Sequence, residues 1–304
     1  MSDRTNNQPP PSCSSNLSAG NFHKKPQQKL SDLEPDTLSK ISHQLSHDIG
    51  NPLTSIISYS SILEQAVHFS LSPEKIADYA HSLSRETWRI SSLVEKFLLL
   101  TSRSKNETPV SLAEVKERVL TRYISRYNLG ELDLTFEGFE TEEVIFAEIE
   151  HLTVILCEIA SNSLGAQRAL AEIKTNDDKE KNRPKIDEDI EGELWVNFKT
   201  FPINIESNQN DRSPGKYLVI EATNPSPPHG SEIEKLFYPG EKLFPSGRDN
   251  LGIGLSGILH SMSRWGGYTE IEELPIQNWQ KTDQQRLSDT RVLFVTRLIF
   301  KAAQ

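Results

Sequence analysis

Apolar residues recur at steps of three and four along two stretches in the N-terminal third of the chain. Between about Glu34 and Phe69 they fall at Leu38, Ile41, Leu45, Ile49, Leu53, Ile56 and Leu63, which is the stripe of an amphipathic helix. A second stretch opens at "SPEK", with Ser72 in the N-cap position and Pro73 in the favoured first turn. It places Ile76, Ala80, Leu83, Thr87, Ile90, Val94, Phe97 and Thr101 at alternating steps of four and three, a heptad seam. A helical hairpin alone buries only one face of each helix, so the pattern over residues 34–103 predicts a homodimeric four-helix bundle.

Past a linker, "SKNETP" (104–109), the period changes and residues 108–304 read as a mixed α and β domain. "LAEVKERVLTRYISRY" is an amphipathic helix, "LDLTF" and "EEVIF" are strands, and "EIEHLTVILCEIASNSLGAQRAL" is a strongly apolar helix. The strands "ELWVNFKTF" and "KYLVIEAT" come next, then a Pro-rich turn, a short "EIEKLF" helix, a Gly-containing loop, the helix "LSGILHSMSRW" and a final strand "TRVLFVTRLIF". Together with the hairpin this makes an α+β chain. Residues 1–33 are rich in Pro, Ser, Asn and Gln and read as a disordered tail. Residues 173–191 read as a charged, solvated loop inserted in the second domain.

Composition narrows the partners. A formal net charge of −10 argues against nucleic acid, because phosphate binding needs a basic face. The two cysteines, Cys13 in the tail and Cys157 in an apolar helix, offer no disulfide framework and suit a reducing compartment. No apolar run is long enough to span a membrane, and the N-terminus lacks the apolar core of a secretory signal. These features predict a soluble, cytoplasmic protein.

The first helix carries an oddity, "SHQLSHDIGNPLTSI" (42–56): a proline inside the helix beside two adjacent titratable groups. At about 100° per residue His47 lies about 200° from both Leu45 and Ile49, so it faces away from the apolar stripe. Asp48 is placed to accept a hydrogen bond from ring Nδ1–H, which leaves Nε2 bare and nucleophilic. Pro52 has no N–H and its ring opposes the carbonyl of Asp48, predicting a bend. Asn51, one turn after His47, shares its face and is placed to orient a water. A lone surface histidine is normally inert, and His43 on the same face, with no acid after it, is the internal comparison.

This segment resembles the H-box of two-component sensor histidine kinases. The resemblance implies that His47 is autophosphorylated, that Asp48 is its general base, and that Asn51 supports phosphatase activity towards a response regulator. Gly50 stands where the family commonly has Arg. "SLSRETWRISSLVEKFLLLTS" is similar to the family's second bundle helix.

The remaining boxes resemble the family's ATP-binding domain, in order, over roughly residues 36–304. "ILCEIASNSLGAQ" is similar to the N-box, which implies Glu158 at the nucleotide and Asn162 as the Mg²⁺ ligand; one or two protein oxygens are what Mg²⁺ takes beside phosphates. "RDNLGIGLSGILHSMSRWGG" resembles the second glycine box. There Gly252 and Gly254 let backbone N–H groups approach phosphates at a helix start, and Arg248 is a candidate for the γ-phosphate. Asn250 replaces the usual first glycine. Phe237 and Phe244 in "EKLFYPGEKLF" match the segment before the lid.

"EATNPSPP" departs from the family's first glycine box. Asn224 stands where an Asp accepts the adenine amino group, and Ser226 and Pro228 replace both glycines. Losing the charge-assisted bond costs about 1–2 kcal/mol, roughly tenfold in affinity. The implied function is therefore an ATP- and Mg²⁺-dependent histidine kinase acting on a separate response regulator. The alternative is a phosphotransfer protein or pseudokinase whose degenerate ATP domain serves for docking. A purely structural or regulatory dimer is a third class.

Overall fold

The computed structural model describes residues 35–101, 107–127, 132–180, 194–205, 213–228, 230–238, 254–275 and 292–302. The 1–33 tail lies outside the described residues, as do Arg248, Asn250, Gly252 and Phe244.

Two long helices come first, α1 (Pro35–Glu64) and α2 (Pro73–Thr101). The Ser72 cap is present: the Lys75 N–H donates to its Oγ at 3.4 Å, and the Ile76 N–H to its carbonyl at 3.0 Å. The Ser72 hydroxyl and the Glu74 backbone N–H hold the Glu74 carboxyl below its ordinary range. Pro52 lies within α1, which is helical on both sides of it. The hairpin closes through Ile41, Leu93 and Leu100, with Leu45, Ile49 and Phe97 packed on them. Tyr59 and Tyr79 meet further along at 6.0 Å between ring centroids.

The second part is a five-stranded mixed sheet with helices against it. Its strands are β2 (Leu132–Glu137), β4 (Leu194–Ile205), β5 (Gly215–Ser226), β7 (Val292–Lys301) and β6 (Tyr268–Pro275), in that spatial order. Only β2 and β4 run parallel, with Leu132 opposite Leu194. The helices are α3 (Leu112–Tyr127), α4 (Ile149–Glu180) and α5 (Gly254–Arg264), with a 3₁₀ segment at Gly230–Phe237. A separate antiparallel pair joins β1 (Thr108–Ser111) to β3 (Val144–Ala147).

Why these residues cohere is visible in their spacing. Leu112, Val115, Val119 and Tyr123 of α3 are all fully buried at helical steps. They share one core with Leu152, Ile155, Leu156 and Ile159 of α4 and with Leu218, Ile220 and Ala222 of β5. The alternate residues of β5, Tyr217 and Val219, are buried on the opposite face with Ile299. Each such side chain contributes about 1.5–3 kcal/mol on burial. Helix α5 ends where Gly266 takes a φ of 65°, and the Gly267 N–H returns to the Met262 carbonyl at 2.8 Å. This is a left-handed cap that only glycine adopts without strain.

Four expectations need correction. The first part of the charged 173–191 stretch is helical, because α4 continues to Glu180. Thr108 and Pro109 belong to a strand rather than a linker, and a two-stranded pair tolerates the missing proline N–H. "NPS" is strand, not turn: β5 runs to Ser226 and pairs Pro225 with Leu293 of β7. The β4 pairing stops at Thr223, so Pro225 has a neighbour on one side only. The strand β6 is not expected from the sequence pattern. Its glutamates leave no clean alternation to read.

Candidate phosphoacceptor and nucleotide sites

The His47 side chain is 63% exposed, on the wet face of α1. Its Nδ1 lies 3.1 Å from Oδ1 of Asp48. An ionised carboxylate only accepts, so in the neutral ring the proton of this bond sits on Nδ1 and Nε2 keeps its lone pair. Asp48 itself is nearly buried. Gln44, one turn earlier, donates its Nε2–H₂ to both carboxylate oxygens at 2.9 Å. The carboxylate is thus clamped from one side and faces the ring on the other. Asn51 and Gly50 are exposed, and a Cβ built on Gly50 meets nothing within 4 Å. Pro52 is buried. With no N–H there, the Asp48 carbonyl lacks its usual helical donor.

In the second part Glu158 and Asn162 lie one turn apart on α4. Glu158 is buried and Asn162 partly exposed. Gly254 opens α5 against Glu158: a Cβ there would stand 2.3 Å from Glu158 Oε1, so only glycine allows this approach. Asn224 on β5 is also buried. Ser163 lies between α4 and that strand, with its hydroxyl 2.9 Å from Asn224 Oδ1 and 2.8 Å from the Ile159 carbonyl. Asn224 Nδ2 donates to the Pro225 carbonyl at 2.9 Å. The structure therefore brings Glu158, Asn162, Gly254 and Asn224 onto neighbouring elements around α4. Phe237, at the end of the 3₁₀ segment, is buried.

Glu158 has a partner from outside its own domain. Lys96 of α2 places Nζ 3.0 Å from Glu158 Oε2, with the two side chains 6% and 5% exposed. Helix α2 reaches this point because Gly257 of α5 lets it come close: a Cβ on Gly257 would lie 3.1 Å from Leu99 Cβ. The Ser261 hydroxyl adds a 3.5 Å contact to the Leu99 carbonyl. Arg122 of α3 pairs with Glu95 of α2 as well as with Glu150.

Residues 37–106 match the family model of the His Kinase A (phospho-acceptor) domain. That segment, the α1–α2 hairpin, therefore carries the phospho-acceptor domain found in histidine kinases. No curated protein matches it over its sequence. Among solved structures, the mycobacterial sensor kinase MprB is 15% identical, with a TM-score of 0.39 over 64% of this chain and 97% of that one. The Acinetobacter baumannii kinase AdeS is 12% identical, with 0.43 over 85% and 98%. ShkA, solved in complex with AMPPNP, is 12% identical with 0.47 over 89% of this chain and 47% of that one. Those likenesses are weak, and the family assignment rests on the phospho-acceptor match over residues 37–106.

The oxygen donors of Glu158 and Asn162 are of the kind a hard cation takes: a buried carboxylate that already pairs with one positive charge at 3.0 Å, and an amide one turn away on α4. Among the described residues there is no cluster of three or more His, Cys, Asp or Glu that would hold a metal unaided, and a cation carried by a triphosphate needs none. No described helix is long and apolar enough to cross a membrane. Sequence reading passed over three residues of these sites. Gln44 was legible, being one turn before Asp48, and Ser163 is adjacent to Asn162. Lys96 gave no signal, because lysines are seldom buried.

Proposed function

We propose that this chain is a histidine kinase that uses ATP to phosphorylate His47 and passes the phosphoryl group to an aspartate of a separate response regulator. The observation that carries the reading is an exposed imidazole bonded through Nδ1 to a clamped, nearly buried carboxylate. Nε2 of His47 attacks the γ-phosphorus, an N–P bond forms, and the bond to the β–γ bridging oxygen breaks, releasing ADP. As the ring gains positive charge, Asp48 stabilises and then accepts the Nδ1 proton. Gln44 keeps the carboxylate aimed while this happens. Asn51, one turn beyond on the same face, orients water for the reverse, phosphatase direction.

Glu158 and Asn162 hold the metal–triphosphate, Gly254 admits it to the start of α5, and Asn224 receives the adenine amino group. Mg²⁺, when bound, neutralises charge on the phosphates. Arg248 and Gly252 belong to the same proposal on sequence grounds. Two copies of the chain associate through the hairpin. Leu53, Ile76 and Val94 of the predicted seam are 46%, 38% and 40% exposed in one chain, so a second bundle half is needed to cover them.

Incubation of the full chain with γ-labelled ATP and Mg²⁺ tests this. Acid-labile label that disappears in His47→Gln supports the kinase. Label arriving only from a phosphorylated regulator makes the chain a phosphotransfer protein instead.

A further inference from the structure

Lys96, on the second bundle helix, carries a charge that the proposed reaction leaves unused. Its ammonium and the Glu158 carboxylate are sealed together, and charged groups are withdrawn from water only when paired. Glu158 pairs with Lys96 through Oε2, and the first residue of α5 packs so close to Oε1 that a Cβ there would stand 2.3 Å from it. One carboxylate carries one charge. It cannot satisfy both a buried ammonium and a divalent cation, and the two cations repel at short range. At 6% and 5% exposure neither group offers a face to an arriving triphosphate. The contact is also built to close tightly, since Gly257 admits Leu99 and the Ser261 hydroxyl reaches its carbonyl.

We propose that Lys96 is a resident counter-ion that closes the metal–triphosphate site, so that α2 docked on α4 and α5 and nucleotide bound at Glu158 exclude each other. Loading then expels Lys96 and frees α2, and any signal that loosens the hairpin raises nucleotide occupancy. This rests on the assignment of Glu158 and Gly254 to the nucleotide site. If Lys96 instead drew in the γ-phosphate, its removal would weaken binding, which is the opposite sign.

The test titrates Mg²⁺ and AMP-PNP calorimetrically into full-length wild type, Lys96→Met and Lys96→Arg, each first shown to unfold cooperatively. If the docked form predominates, Lys96→Met binds at least about tenfold more tightly than wild type, as expected when a closed competitor is removed. Lys96→Arg stays near wild type. Unchanged or weaker binding by Lys96→Met overturns the proposal while leaving the nucleotide reading intact. No binding by any folded variant overturns both.

A second arm keeps the ion pair and does not depend on Lys96→Met folding. Leu99→Cys with Gly257→Cys, in a Cys13→Ser background, sets two Cβ positions 3.1 Å apart, which need to part by only a few tenths of an ångström to take the spacing of a disulfide. The bridge is expected to form without nucleotide and to form several-fold more slowly at saturating Mg²⁺ and AMP-PNP. Failure to form without nucleotide, or an unchanged rate with it, overturns the mutual exclusion.

Discussion

His47 and Asp48 are neighbours in the chain, and their side chains face each other across 3.1 Å on a helix whose geometry normally points consecutive residues apart. Gln44 holds the carboxylate through both oxygens, and the result is an acceptor fixed before any substrate arrives. Asp48→Asn keeps size and packing but cannot accept the proton. It is expected to slow formation of acid-labile label on His47 by about a hundredfold or more. Initial rates with labelled ATP measure this, and a loss below about threefold would remove Asp48 from the reaction.

Gly50 sits in the middle of α1 with open space where a Cβ would stand. Glycine there adds freedom to the unfolded chain without relieving any crowding in the folded one. Gly50→Ala should therefore stabilise the hairpin by about 0.4–1 kcal/mol. Chemical denaturation followed by helical circular dichroism reads the change. Destabilisation would mean that this position needs the glycine for a contact made by a partner.

On α1, Leu53 and Ile57 are one turn apart and 46% and 60% exposed. If they meet their counterparts in a second copy, a charge in that seam is left without water or partner. Ile57→Glu is expected to halve the mass observed by light scattering at low micromolar concentration, with helical content of the remaining chain retained. An unaltered dimer would place the association surface elsewhere.

His151, at the start of α4, has Nδ1 2.9 Å from Glu148 and Arg264 close by. Burial pushes its pKa below the ordinary 6.5, Glu148 pulls it up, and Arg264 adds to the depression. A folded-state pKa below the unfolded one means that the unfolded chain binds more protons as the pH falls. The contribution of His151 is thus fully present above about pH 6.5 and is lost on acidification below it. The stability gap between wild type and His151→Gln should shrink in favour of the variant from about pH 7 to 5. A gap that is flat or widens over that range would contradict the assignment of burial as the leading cause.

Much of this architecture is legible in the chain itself. The alternation of four and three through Leu83, Ile90 and Phe97 announces the hairpin. Ser72 and Pro73 mark the start of α2, and "HDIGN" places an exposed imidazole beside a carboxylate because helical geometry ties position to angle. Less is legible where local pattern and tertiary role diverge. The stretch Thr108–Ser111 looks like linker and becomes strand only through its pairing with Val144–Ala147. "NPS" reads as a turn by composition, yet its neighbour β7 holds it extended.

Sequence alone determined the two helices with their seam, the α+β character of the chain, and the face on which His47 stands, since these depend on residues within a few positions of one another. Tertiary structure decided that the last turns of α2 serve two surfaces at once: Leu93 and Leu100 close the hairpin, while Lys96 and Leu99 turn into the second domain. No spacing rule links Lys96 to Glu158, because they belong to different helices and meet only after α4, α5 and α2 have packed. Burial and charge pairing across long separations are properties of the assembled core.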